Sequence, residues 1–260
     1  SITAPIALTF KFLGIGILQA RLTSMISMCL AIILYFHFIR QLFNLRIAYL
    51  ALFVLIVIGT PHPWIIGRQA LAEAPMVFFL ACGYLFLWTA IKGNKLALIG
   101  AIISWGLAFD SKAHTIPFLS LAMIVPIFIS FLRREWKYFS LFGLAWIGSL
   151  IIYLLMIFIQ RVLTNNLSVY GSPIEGFFTL GVFVISPNVR LYTLENILIF
   201  GLPTLIGLCY GSTQIWHKWN MPESDQNTKL INLSLVTLVI SWFSWYGLLS
   251  LGWARYFFPI

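Results

Sequence analysis

The chain has 260 residues, of which 9% are charged and 61% hydrophobic, and its mean hydropathy is +0.97. A soluble domain carries roughly 25% charged residues, so a water-soluble monomer is excluded and a polytopic membrane protein is indicated. The net charge of +9 is scattered between apolar runs rather than gathered on one face. That is how loops anchor to lipid head groups, so membrane lipids are expected partners and nucleic acid is not.

A span needs about 20 mostly apolar residues, which gives an all-α expectation: one transmembrane domain over residues 1–260, a helical bundle of about eight spans plus interfacial helices. Residues 5–18 are apolar but too short to cross, and Lys11 interrupts them, so they read as interfacial or re-entrant. Spans are then expected at about 22–43 and 47–60. His62 between Pro61 and Pro63 ends helix. Further spans are expected at about 75–91, 96–111, 115–132, 138–160, 196–215 and 230–251. Residues 161–195 are more polar and read as a long loop carrying an interfacial helix near 177–185. Cys29, Cys82 and Cys209 lie in apolar runs without metal-ligand spacing and read as buried small hydrophobes.

Lysine and arginine set the orientation. Arg40, Arg46, Lys92, Lys95, Arg133, Arg134, Lys137, Lys218 and Lys229 sit in turns between spans, as cytoplasmic anchors do. Lys11, Arg21, Arg68, Lys112, Arg161, Arg190 and Arg255 sit largely in or beside apolar sequence, where anchoring explains less. The first group is placed in the cytoplasm and the second outside.

Three clusters on that outer face could carry chemistry. Arg68 and Glu73 stand just before the third span, whose first turn holds Pro75. Glu73 there complements a helix N-terminus, and Arg68 either snorkels or grips an anionic head group, since guanidinium forms a planar fork that suits phosphate. Asp110, Lys112 and His114 close a fourth span of only about 16 residues, or ~24 Å, against ~30 Å of hydrocarbon. Lys112 is therefore set below the surface, either paired with Asp110 or available to a phosphate. Gly100, Ser104 and Ala108 make a small-residue stripe for close helix packing on that span. His114 reads as an ordinary hydrogen-bonding group, with no second metal ligand at suitable spacing. Arg255 and Tyr256, at the end of the eighth span, read as an aromatic belt with a snorkelling arginine. No nucleophilic triad, phosphate loop or metal motif is present in the sequence.

Taken together, Ser1-Ile2-Thr3-Ala4-Pro5, Phe12-Leu13-Gly14-Ile15-Gly16, Ala20-Arg21-Leu22, Arg68 through Pro75, Gly106-Leu107-Ala108 with Lys112, and Ala254-Arg255-Tyr256 with Pro259 resemble the GT-C superfamily of membrane glycosyltransferases. The most similar branch is the polyprenyl-phosphate-sugar-dependent one that includes protein O-mannosyltransferases and the bacterial lipid A aminoarabinose transferase. The resemblance implies transfer of a sugar from a polyprenyl-phosphate donor to a lipid, glycan or protein acceptor at the extracytoplasmic face of the plasma (inner) membrane, with inversion at the anomeric carbon. It implies Arg68, Lys112 and Arg255 at the lipid phosphate, with Glu73, Asp110 and Tyr256 beside them, and leaves a divalent cation open. In such enzymes the catalytic aspartate lies in a first outer loop that would precede Ser1, so the chain is expected to be a fragment without that loop and its span. The alternative is a multi-pass transporter or lipid flippase whose buried charges line a path. Transporters tend to show repeats and helices broken at mid-membrane, whereas these charges gather at one edge.

Overall fold

The protein is described by a computed structural model covering residues 3–58, 72–164, 186–219 and 225–250. Every regular element among these residues is helical, as the apolar runs demand: in lipid, backbone polar groups must be satisfied within the segment. Among the described residues five helices are long and apolar enough to cross a membrane, six if one bent pair is a single span. The protein is an integral membrane protein with an all-α helical bundle. The difference from about eight expected spans lies in short helices and in residues outside those described. Two compact units divide the described chain, and each is taken by itself.

The first unit begins with α1 (Thr3–Leu13), α2 (Ile17–Leu42) and α3 (Leu45–Phe53). Eleven residues make α1 about 16 Å long, too short to span. It ends at Gly14, whose φ of 83° suits only a residue without Cβ. Thr9 Oγ1 lies 3.0 Å from the carbonyl of Gln19, and the Gln19 amide donates to the carbonyl of Leu13 at 3.2 Å, so α1 is tied to the first turn of α2. Asn44 caps α3 by accepting from the Ile47 N–H at 2.9 Å. A π-helical turn, Val54–Ile58, follows α3.

Next come α4 (Glu73–Ile91) and α5 (Lys95–Ser111), a hairpin closed by Gly93 at φ 115° and capped by Asn94. Lys92 Nζ sits 4.3 Å above the Trp88 ring. The hairpin packs without room to spare. Trp105 of α5 is fully buried, and its indole N–H points at the Leu80 carbonyl at 3.4 Å. It fits only because residue 83 is glycine: a Cβ there would lie 2.1 Å from the indole nitrogen. Gly100 faces the Phe86 ring in the same way, and Ser104 and Ala108 are buried below it. The small-residue stripe therefore does what small residues do in membranes, admitting a neighbour at close range. Residues 147–153 also belong to this unit, as part of a long helix. Ile152 lies against Gly106 and Ile102 against Gly148, so α5 receives them on another side.

The second unit holds α6 (Thr115–Leu132), most of α7 (Trp136–Thr164), α8 (Pro187–Phe200), α9 (Leu202–Trp219) and α10 (Gln226–Leu248). Helices α6 and α10 run antiparallel: Phe118 near the start of α6 meets Trp242 and Trp245 near the end of α10, while Glu135, beyond the end of α6, accepts from Gln226 at the start of α10 at 2.9 Å. Asp225 caps α10, and the Tyr138 hydroxyl donates to Asn227 at 2.7 Å. The turn between α6 and α7 is thereby stapled to the start of α10. The pair α8 and α9 bends by 74° at Gly201, where the sequence suggested a single span starting at 196; α8 instead begins at Pro187, inside the stretch expected to be loop. The interfacial helix expected near 177–185 lies outside the described residues.

Cys29 and Cys209 are exposed and Cys82 is half-buried, which corrects their reading as buried groups. The outside of a membrane helix is lipid, so a small apolar thiol gains nothing by turning inward.

Candidate functional site

The first turn of α4 and the last turn of α5 lie at the same end of their hairpin, and the ion pair of the first unit forms there. Glu73 is the first residue of α4, with Pro75 in the same turn, as the helix-start pattern suggests. Its carboxylate is not at the surface, however: the side chain is 4% exposed. Lys112, immediately after α5, extends its ammonium to Glu73 Oε1 at 2.5 Å, with 16% of its side chain exposed. The partners are 39 residues apart in sequence.

Burying either charge alone would cost several kcal/mol. Burying them together is tolerable because each cancels the other's field at short range. The pair adds a partner that neither reading named. Glu73 was expected to support Arg68 or a helix end, and Lys112 to pair with Asp110 or await a phosphate. The structure joins Glu73 to Lys112 directly. Asp110 stands two residues before Lys112, on the last turn of α5, half-buried. Arg68, Arg255 and Tyr256 lie outside the described residues.

His114 belongs to the second unit. Its ring stacks on Trp245 at 5.9 Å and meets Trp242 edge-on at 5.8 Å. Among the described residues no three of His, Cys, Asp and Glu converge as metal ligands.

Arg190 had been grouped with the outer cations by its apolar neighbourhood, and the structure gives it a local task. From α8 its guanidinium donates to the carbonyls of Gly247 at 2.7 Å and Tyr246 at 3.5 Å, and to that of Ser250. Tyr246 and Gly247 carry carbonyls of the last turn of α10, which have no intrahelical N–H donor, Ser250 lies two residues beyond it, and a cation there also complements the helix dipole. The role was not legible from sequence because residues 190 and 247 are far apart along the chain. Arg190→Ala should destabilise the protein by roughly 1.5–3 kcal/mol, the worth of charged hydrogen bonds, read as a lower thermal midpoint in detergent. Arg190→Lys should recover only part of it, since an ammonium cannot span three carbonyls as a fork does.

Each unit thus has a polar end with a definite composition. In the first it is the Glu73–Lys112 pair. In the second, His114, Arg190 and the end of α10 share one end, and the anchors Arg133, Arg134 and Lys137 lie at the other, with Arg133 4.5 Å above the Trp219 ring.

Two of the three comparisons with known proteins are negative: no curated protein and no solved structure matches the chain significantly. The third is positive. The sequence profile of the dolichyl-phosphate-mannose-protein mannosyltransferase family matches residues 3–159, which is more than half of the chain and contains α1 through most of α7, including Glu73, Asp110 and Lys112. With its helices long enough for a membrane and its buried charges at helix ends, the chain belongs to this family and is a membrane glycosyltransferase of the mannosyltransferase type.

Proposed function

We propose that the chain takes a sugar from a polyprenyl-phosphate donor and passes it to a lipid, glycan or protein acceptor at the extracytoplasmic face of the plasma (inner) membrane. The observation that carries this reading is the buried Glu73–Lys112 pair at the end of the α4–α5 hairpin, within the matched region. An ammonium has three N–H donors, so contact with Glu73 is compatible with contact to a phosphate oxygen. The partial burial of Lys112, 16% of its side chain being exposed, supports a site where water competes little for a phosphate.

In the transfer, an acceptor hydroxyl oxygen bonds to the anomeric carbon from the face opposite the phosphate. The carbon–oxygen bond to the phosphate breaks, its electron pair goes to the phosphate, and the acceptor's proton goes to a carboxylate base. Charge accumulates on the leaving phosphate, where a prepositioned cation stabilises the transition state more than the ground state. Lys112 is assigned this role, with Arg68 and Arg255 as further phosphate contacts and Asp110 and Tyr256 beside them. The base is assigned to none of the described carboxylates, because Glu73 is committed to Lys112.

The test uses the protein in sealed vesicles of known orientation. Labelled sugar should transfer from a polyprenyl-phosphate donor and not from a nucleotide sugar, and only to acceptor on the extracytoplasmic side. Transfer from the nucleotide sugar would reject the donor class, and transfer to acceptor on the opposite side would reverse the orientation.

A further inference from the structure

The Glu73–Lys112 pair raises a question that phosphate binding alone does not answer. A lysine meant only to attract phosphate is better left without a carboxylate at 2.5 Å. The chain has only seven acidic residues, and this one is nearly enclosed. Dipole complementation does not explain it either, since a carboxylate at a helix start works while solvated.

We propose that Glu73 is the counter-ion that keeps Lys112 from holding the product's phosphomonoester more tightly than the donor's phosphodiester. This rests on the assignment of Lys112 to the lipid phosphate and goes beyond it. The donor phosphate, esterified to both lipid and sugar, carries one negative charge. After transfer the lipid phosphate is a monoester, with a charge of roughly −1.5 to −2 at pH 7. A solitary buried ammonium would hold the more charged product more tightly than the substrate, because Coulomb attraction is strong where water is scarce, and turnover would stall on product release. With Glu73 beside it, the extra negative charge is drawn to Lys112 and repelled by Glu73 in nearly equal measure. The pair itself then offers a hydrogen-bond donor at a fixed point while adding little net field of its own in favour of the product. Glu73 thus acts through Lys112 and is a positioning residue that sets product affinity.

The test compares inhibition of transfer by added short-chain polyprenyl phosphate and by its methyl ester, using the full chain in lipid vesicles. In the unsubstituted protein the two should inhibit within about threefold of one another; a monoester tenfold or more stronger than its diester overturns the proposal. Glu73→Gln keeps an oxygen for Lys112 and removes the charge. It should tighten inhibition by the monoester about tenfold, leave the diester nearly unchanged, and lower kcat more than it alters the donor KM. Unchanged or weakened monoester inhibition in folded Glu73→Gln protein also overturns it. In Glu73→Gln/Lys112→Ala the tightening should vanish, and its persistence shows that Glu73 acts elsewhere. Lys112→Ala alone separates the two levels. If it leaves the donor KM, kcat and both inhibitions unchanged, the phosphate assignment fails; if it impairs them while Glu73→Gln shows no selective tightening, only the counter-ion role fails. Where Glu73→Gln does not fold, the two-inhibitor comparison on the unsubstituted protein decides.

Discussion

Lys112→Ala is expected to lower sugar transfer by ~10²–10³-fold, the range seen when one preorganised donor to a developing anion is removed. Membrane insertion should be unaffected, because α5 ends before residue 112 and its apolar face is untouched. The complication is Glu73, which the substitution leaves buried without its partner at a cost of about 3–5 kcal/mol, so lost activity has to be separated from lost structure. The exchange Glu73→Lys/Lys112→Glu does this. It restores an ion pair of the same two groups and should recover most of the thermal stability lost in either single variant. It puts the carboxylate where the ammonium had been, at the end of α5, and should leave transfer near the level of Lys112→Ala. Recovery of transfer with stability would make the pair purely structural and remove Lys112 from the phosphate. Lys112→Arg should fall between, since a guanidinium keeps the charge and changes the reach and geometry of its donors.

How much of this was legible in the sequence depends on the range of the interaction. The α4–α5 turn, the start of α6 and the helical end at Ser111 follow from local signals: Gly93 and Asn94 for the turn, and the polar stretch Asp110 to His114 for the two ends. The stripe Gly100, Ser104 and Ala108 predicted a close neighbour correctly, because small residues at fourfold spacing have few other uses in a membrane. The identity of that neighbour was not predicted, since nothing on α5 names Phe86. Glu73 and Lys112 were each picked out as costly charges at a span's edge, Glu73 as support for Arg68 or a helix end and Lys112 as a partner of Asp110 or of a phosphate. Their contact with each other was not named, because it spans 39 residues and exists only where the hairpin brings its open end together. The role of Arg190 was missed for the complementary reason. Its apolar surroundings only grouped it with the outer cations, while its donors are used by backbone carbonyls at the end of α10, 56 to 60 residues away. The bend at Gly201 also escaped: glycine is frequent in membrane helices, so its presence does not mark a break.

The geometry at that hairpin depends on how the two helices seat further down, which makes Gly83→Leu the most damaging apolar change. A Cβ at residue 83 would stand 2.1 Å from the Trp105 nitrogen and 2.3 Å from its Cδ1, so no side chain fits while the indole is in place. Trp105 has little freedom to yield. It is fully buried, directed at the Leu80 carbonyl, and packed edge-on against Tyr84 with centroids 5.2 Å apart. Overpacking of this kind costs ~1–3 kcal/mol or more, and expelling the indole approaches the ~3–5 kcal/mol of a Trp→Ala truncation. The thermal midpoint should fall by ~5–10 °C at roughly 2–4 °C per kcal/mol. Trp105→Ala alone should be comparably harmful through the cavity it leaves. The double variant Gly83→Leu/Trp105→Ala should be more stable than the sum of its parts predicts by at least ~1 kcal/mol, because the leucine fills the space the indole leaves. Gly83 is ten residues along α4 from Glu73, about 15 Å at helical rise, so neither residue touches the ion pair. Transfer should therefore track the stability of each variant and return with it in the double variant. Additive damage in the double variant would mean that the helices meet somewhere other than at Gly83, and the shared end that brings Glu73 to Lys112 would lose its structural basis.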